Sequence, residues 1–331
     1  MLNHTIDLYN LTFYFFVYGF LGWLVEVVYA FIKHGKYVNR GFLYGPICPI
    51  YGVGVITIYL SIHKLSTLFL GGQAPSWWML FIMVTVVTTG LELITGSVMS
   101  YLFGTRWWDY SDRRFNLGGY ICLDFTLIWG LAGTLLMQIV HVRMANVVDG
   151  IPRNIGNPLL LMLMAFFIID GTSTVRTLID FRSLLLEMDN IAKQYVQIRS
   201  NLVFEMIRLK DELSELIKTG VEKKTDEAGQ TLKRIQEQLK ELQVHEFIPD
   251  HPVKNIINEL IDEDKKLNVK TKIELKRVLE HYENLSNRFS KSRLYNAFPD
   301  MKSIKYKALL KDVRDRKKNK NKNKNRGNQT P

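Results

Sequence analysis

The sequence predicts an all-α protein: a polytopic membrane helical bundle of about five spans, then a cytoplasmic coiled-coil or helical domain and a disordered basic tail. Three observations predict it. Residues 1–181 hold nearly every long apolar run but only 10 Lys/Arg and 9 Asp/Glu. Residues 182–331 hold the other 33 basic and 23 acidic residues, and no run long enough to cross a bilayer. The net charge of +11 thus divides as +1 and +10, the pattern of a membrane part joined to a charged soluble part. Within the second part, apolar residues recur at three- and four-residue steps from Leu184 onward, as in the seam of a packed helix. The expected domains are 1–181 for the bundle, 182–246 for a coiled coil or helical hairpin, 247–314 for short helices and 315–331 for the Lys/Asn-rich tail.

The first ten residues carry no Lys or Arg, so they lack the positive start of a signal peptide and the first apolar run is expected to remain as a span. A span needs about 20 mostly apolar residues. Residues 11–32, 43–62, 77–103 and 120–140 meet this. Residues 157–178 are apolar from Leu159 to Ile169 and polar afterwards; they read as a fifth span, with a soluble core helix as the alternative. The second segment is unusual, because Gly41 to Gly54 contains Pro46, Pro49 and four glycines. Proline removes a backbone donor and clashes with the preceding turn, so no regular helix is expected before about Ile50. That stretch is either an interfacial loop or a broken helix lining a polar site.

Short-loop charges orient the chain. Lys33, Lys36 and Arg40 follow the first span, and Arg106, Arg113 and Arg114 follow the third; the alternate loops hold Lys64, Arg143 and Arg153. The expected arrangement is a multi-pass plasma-membrane protein with its N-terminus outside and its C-terminus in the cytoplasm. Cys48 and Cys122 then lie near the reducing side and read as free thiols.

Four spans each carry one carboxylate: Glu26, Glu92, Asp124 and Asp170. Each costs about 2.5–3.5 kcal/mol at the centre of a membrane helix, so such acids face a bundle interior and mark sites by default. All four fall in the inner half, with Arg176 the one basic residue expected within reach. Thr85, Thr88, Glu92 and Thr95 share a helical face, as do Asp170, Thr174 and Thr177, and Gly19, Gly22 and Glu26. The expectation is an inward-facing polar cluster that binds something. The competing reading is that protonated acids pair with Thr, Tyr or Arg176 and fix packing only.

The run Asn39-Arg40-Gly41-Phe42-Leu43-Tyr44-Gly45-Pro46-Ile47-Cys48-Pro49 resembles a hallmark of one bacterial membrane family. So does Arg106-Trp107-Trp108-Asp109-Tyr110-Ser111-Asp112, followed by Asn116-Leu117 and Gly119-Tyr120-Ile121-Cys122-Leu123. Phe20-Leu21-Gly22-Trp23 with Glu26, and Leu91-Glu92, fit as well. The resemblance is to the CmpB-like, type-IV ABC-transporter membrane proteins. It covers about residues 11–145, with a further segment at Ala297-Phe298-Pro299 and Met301-Lys302-Ser303. It implies a transport-associated subunit. No Gly-x-x-x-x-Gly-Lys-Ser/Thr loop occurs, so any ATPase must be a separate ATP-binding subunit. Glu227-Ala228-Gly229 is a poor match to an importer coupling loop. The Trp107, Trp108 and Tyr110 group is read either as an interfacial belt or, with the 39–49 loop, as a lid over the acids.

In the soluble half, Leu184, Met188, Ile191, Tyr195, Ile198 and Leu202 form one seam. Met206, Leu209, Leu213 and Leu216 continue it after a stutter, and Gly220 is a stop signal. Leu232, Ile235, Leu239 and Leu242 begin a second seam, giving a hairpin or a homotypic coiled coil between subunits. Helices are expected at about 253–263, 271–288 and 300–314. His245, His251 and His281 have no ligand partners at metal-site spacing, so no metal or cofactor is expected. The tail has eight basic residues from Arg314 to Arg326. It reads as a solubilising tail, with contact to anionic lipid or RNA as alternatives.

Three functions remain: a permease-like or transport-associated subunit, a non-transporting scaffold or regulator acting through its coiled coil, and an intramembrane enzyme on a lipid-like substrate. The third is disfavoured, since acids spread over four helices lack the tight spacing of an acid–base pair.

Overall fold

The computed structural model describes residues 6–218, 229–230, 233, 235, 269–298, 301, 306–307 and 309–317. They are overwhelmingly helical. The only strands among them are β1 (Asn116–Leu117) and β2 (Ile121–Cys122), an antiparallel pair turned by Gly118 and Gly119 at φ +58° and +75°, a turn that needs positive φ twice. The chain divides into two units: Met1–Phe181 with Arg293–Lys305, and Arg182–Ser292 with Tyr306–Pro331.

In the first unit, α1 (Leu8–His34) is capped by the Asp7 carboxylate, which accepts from the Tyr9 amide, and stopped by Gly35 at φ +66°. Both are ordinary helix signals. α2 (Pro49–Phe69) starts with proline at its first position, where no amide is needed. α3 (Trp77–Phe103) is capped by Ser76 and stopped by Gly104. α4 (Leu123–Leu135) runs through a π turn (Leu136–His141) into α5 (Val142–Asp149). α6 (Arg153–Lys218) contributes to both units. Asp7 also pairs with Arg153 at 2.5 Å, and the Tyr9 hydroxyl donates to the Ile151 carbonyl at 3.1 Å. The Tyr9 amide, then the Arg153 guanidinium, hold the Asp7 carboxyl below the usual carboxylate range.

Five helical stretches are long and apolar enough to cross a membrane: Leu8–Lys33, Pro49–Phe69, Trp77–Phe103, Leu123–Asp149 and Arg153–Glu212. The protein is a multi-pass membrane protein. Ile82, Ile94, Leu161 and Ile169 are exposed on these helices, as side chains facing acyl chains are. Three spans differ clearly from expectation, the fifth because its helix continues well past residue 178. The second begins at Pro49 rather than residue 43, because the two prolines end any helix before it. The fourth runs to Asp149 rather than 140, because the π turn carries the helix past polar Gln138 and His141.

The bundle core joins Tyr14 and Tyr18 of α1, Ile58 and Tyr59 of α2, Val84 of α3 and Met137 of the π turn. His141 is 1 % exposed there; its Nδ1 lies 3.1 Å from the Tyr18 hydroxyl, and its ring packs on Tyr14 and Tyr59. No sequence signal marked this residue as buried.

The second unit packs part of α6 with α7 (Val269–Lys291) and a helical stretch at residues 309–317. Its α6 stripe is offset from the expected seam: Leu185, Met188, Ala192 and Tyr195 are buried, while Leu184 and Ile191 are only half-buried. The Tyr282 hydroxyl donates to Asp312 at 2.9 Å, and Arg316 pairs with the same carboxylate at 2.7 Å. Burial, then Asp312, pushes the Tyr282 hydroxyl pKa up. His281 lies 3.0 Å from Glu187. The second seam apart from Ile235, the Gly220 stop, the helix at 253–263, His245, His251 and the tail beyond 317 lie outside the described residues.

Candidate intramembrane polar site

The α1–α2 connection is the key to the site. Residues 36–48 are not helical, yet Gly41, Leu43, Ile47 and Cys48 are buried among them. Leu43 and Ile47 are buried against Phe16 of α1, and the Cys48 amide donates to the Gly19 carbonyl at 2.8 Å. Phe16 and Gly19 lie about 12–17 Å along a helix of about 40 Å, so the loop reaches well into the bundle. Irregular backbone at that depth survives only where protein satisfies its polar groups. Asp170 does much of this: its two oxygens accept from the Tyr44 amide at 2.9 Å and the Gly45 amide at 2.7 Å, with Thr174 also bonded to it. The Tyr44 hydroxyl bonds Thr177 at 2.7 Å. The Asp170–Thr174–Thr177 stripe therefore receives a loop. Asn39 completes the fold of the loop, accepting from Trp23 and Gly41 and donating to the Tyr44 carbonyl. The stretch is thus neither an interfacial loop nor a broken helix but a loop inserted into the bundle, with Pro46 exposed on it and Pro49 starting α2.

Glu26 and Glu92 each receive a tyrosine hydroxyl. Tyr51 donates to Glu26 at 3.0 Å, and Tyr110 donates to Glu92 at 3.1 Å. Arg40 lies 3.8 Å from Glu26, too long for a hydrogen bond and part-exposed, so this pair is weak. The Arg40 guanidinium rests 4.9 Å from the Tyr29 ring. Glu92 Oε2 is buried with no hydrogen-bond partner among the described residues.

Tyr110 is delivered by a compact second loop. Asp109 accepts from the Ser111 amide at 3.0 Å and pairs with Arg106 at 3.4 Å. Arg106 stacks on Tyr120 at 4.7 Å, and the Trp108 indole donates to the Tyr120 carbonyl at 2.9 Å. The Tyr110 ring stacks on Phe125 at 4.8 Å. Burial first, then the charge and hydrogen bond of Glu92, raise the Tyr110 hydroxyl pKa, and Glu26 adds to the effect. Both carboxylates thus act on one hydroxyl. Trp107 is buried, against Phe42 and Phe298. These aromatics pack inward rather than forming a belt.

The two acids sit in matched settings. α1 and α3 are both 27 residues long. Arg40 follows Glu26, and Arg106 follows Glu92, by 14 residues. Ile47-Cys48 and Ile121-Cys122 then lead into α2 and α4, with each cysteine at the N-cap. Both cysteines are free and buried.

The expected cluster of four acids is not what forms. Asp124 is exposed in the first turn of α4, because that helix starts at Leu123 and leaves the acid at its end, where the helix dipole favours a carboxylate. Asp170 serves the loop backbone. Arg176 is exposed and none of the bonds to Asp170 comes from it. The cation that sequence reasoning missed is Arg293, whose guanidinium donates to the Gly41, Phe42 and Leu43 carbonyls. Burial lowers its pKa, while Tyr44 and Asp170 act against that. The motif at Ala297-Phe298 was the one signal near it.

A family model described as "Putative ABC-transporter type IV" matches residues 13–175, a stretch that includes both motif loops, Glu26, Glu92 and Asp170. No curated protein and no solved structure matches the chain.

Proposed function

Because the chain belongs to the family described as Putative ABC-transporter type IV, we propose that it is a permease-like subunit with a polar site at Glu26 and Glu92. The observation that carries this reading is the Glu92 carboxylate, which has one oxygen bonded to Tyr110 and the other buried without a partner. An acid left half-satisfied inside a membrane protein is costly unless it serves a ligand or ion. In this reading the chain turns over nothing itself, and ATP hydrolysis belongs to a second polypeptide. Six basic residues in the two motif-bearing connections favour the cytoplasm for that end, with the N-terminus outside.

The test is purification of the full chain from native membranes in mild detergent. An ATP-binding subunit is expected to co-purify, and ATP turnover of the complex is expected to fall about tenfold or more in Glu92→Gln at unchanged membrane level. A complex whose turnover ignores both Glu26→Gln and Glu92→Gln would remove the reading.

A second reading is favoured by the 66-residue length of α6: a scaffold or regulator acting through its soluble helices. It expects Glu92→Gln to be silent and deletion of residues 184–245 to abolish function.

A further inference from the structure

The segment after α7 is the feature that the proposed function leaves unused. α8 (Arg293–Ala297) and residues 298 and 301 belong to the membrane unit. Arg293 donates to the carbonyls of Phe42 at 2.6 Å, Leu43 at 2.9 Å and Gly41 at 3.3 Å, and its guanidinium lies 4.3 Å over the Tyr44 ring. Phe298 packs 4.4 Å from the Trp107 ring, which lies 5.8 Å from Phe42. The Arg40 guanidinium, the one paired with Glu26, is 5.9 Å from Phe298. Leu294, Ala297 and Met301 are buried. One short segment therefore touches both motif loops and the cation beside Glu26.

This joint is well packed but poorly satisfied. Three consecutive carbonyls of a non-helical stretch gain charged donors, which is strong binding. The same joint leaves Arg40 Nε, Arg293 Nε and Trp107 Nε1 buried with no hydrogen-bond partner among the described residues. Arg293 Nε and Trp107 Nε1 have given up water without gaining a hydrogen bond, and Arg40 Nε has only its 3.8 Å approach to Glu26 in exchange. Opening the joint would return all three to water. Closed and open forms are thereby brought nearer in free energy than the contacts alone imply.

We propose that residues 293–298 are a latch that closes the 39–48 loop over the Glu26–Glu92 site and opens to admit ligand at that end. The ligand part rests on the transport reading; the closure does not. Release of Arg293 leaves the Gly41–Leu43 carbonyls without donors and loosens the loop. Release of Phe298 uncovers Trp107 and frees Arg40 to leave Glu26.

Cys48 reports on the loop, because it lies within it at 7 % exposure. The full chain carrying Cys122→Ala, in lipid nanodiscs, is labelled with a small maleimide. Arg293→Ala and Phe298→Ala are each expected to raise the Cys48 labelling rate about tenfold. Arg293→Lys keeps the charge but cannot fork across three carbonyls, so it is expected to fall between. A Trp107→Cys/Phe298→Cys pair closed by oxidation is expected to slow labelling about tenfold below the parent, which a merely structural contact would not do. Should Arg293→Ala fail to fold, Arg293→Lys and the cross-linked pair carry the test. Unchanged labelling in the point variants, or parent-rate labelling in the cross-linked chain, overturns the latch whatever Glu92→Gln does. Altered labelling beside a silent Glu92→Gln keeps the closure and removes the transport reading.

Discussion

Asp170→Ala is expected to lower the stability of the membrane unit by about 3 kcal/mol or more. The carboxylate is 6 % exposed and is bonded to two successive backbone amides, at 2.9 and 2.7 Å. A hydrogen bond to a charged group contributes about 1.5–3 kcal/mol, and a buried amide left without an acceptor costs about 1–3 kcal/mol. Asp170→Asn keeps one acceptor oxygen, so about half the loss is expected. Thermal unfolding in detergent, followed by tryptophan fluorescence, reads the difference. An alanine variant that melts with the parent would mean that the loop is not held by this side chain.

The second large effect is expected at Gly52. A Cβ there would sit 2.5 Å from the Phe15 carbonyl oxygen, 2.8 Å from Phe15 Cδ2 and 3.2 Å from the Phe15 carbonyl carbon. The obstacle is mainly backbone, which cannot swing away as a flexible side chain can. Gly52→Ala must therefore part α1 from α2, at a cost of about 3 kcal/mol. Gly54→Ala is the control two residues on. Its Cβ would meet only Leu91 Cδ1, at 3.7 Å, an ordinary contact, and the change is expected to stay within about 0.5 kcal/mol. Equal melting temperatures for the two variants would contradict the close approach.

Most of the membrane fold was legible because lipid imposes a length: five apolar runs read as five spans, and α3 lies where residues 77–103 placed it. The second span misled because Gly, Pro, Phe and Leu between 41 and 48 are apolar enough to count towards a helix that their backbone does not make. At the site, each acid was visible through its cost, but its partners were not. Tyr51 and Tyr110 reach Glu26 and Glu92 from the next helix and the next loop, and hydropathy has no term for that. Asp124 looked buried only while its helix was taken to start at residue 120. Arg176 was the nearest cation along the chain, whereas Arg293 comes from beyond α7 and is brought in by tertiary contacts alone. The expected α6 seam keeps Met188, Tyr195 and Met206 buried, but Leu185 and Ala192 take the places of Leu184 and Ile191, because runs such as Leu184, Leu185 and Leu186 offer two registers that only packing separates.

The π turn at Leu136–His141 accommodates one surplus residue in the fourth span. Each residue of an α-helix advances the facing direction by about 100°. The turn thus sets the angular phase of everything from Val142 to Asp149, including Ala145 and Val148, which are buried. A chain shortened by one position inside that turn would regain a regular helix with its outer half still in phase, whereas a residue removed from α4 would rotate that outer half by about 100°. Ala145 and Val148 would then swing towards lipid, and Asn10 would no longer meet Asp149, to which it now donates at 2.8 Å.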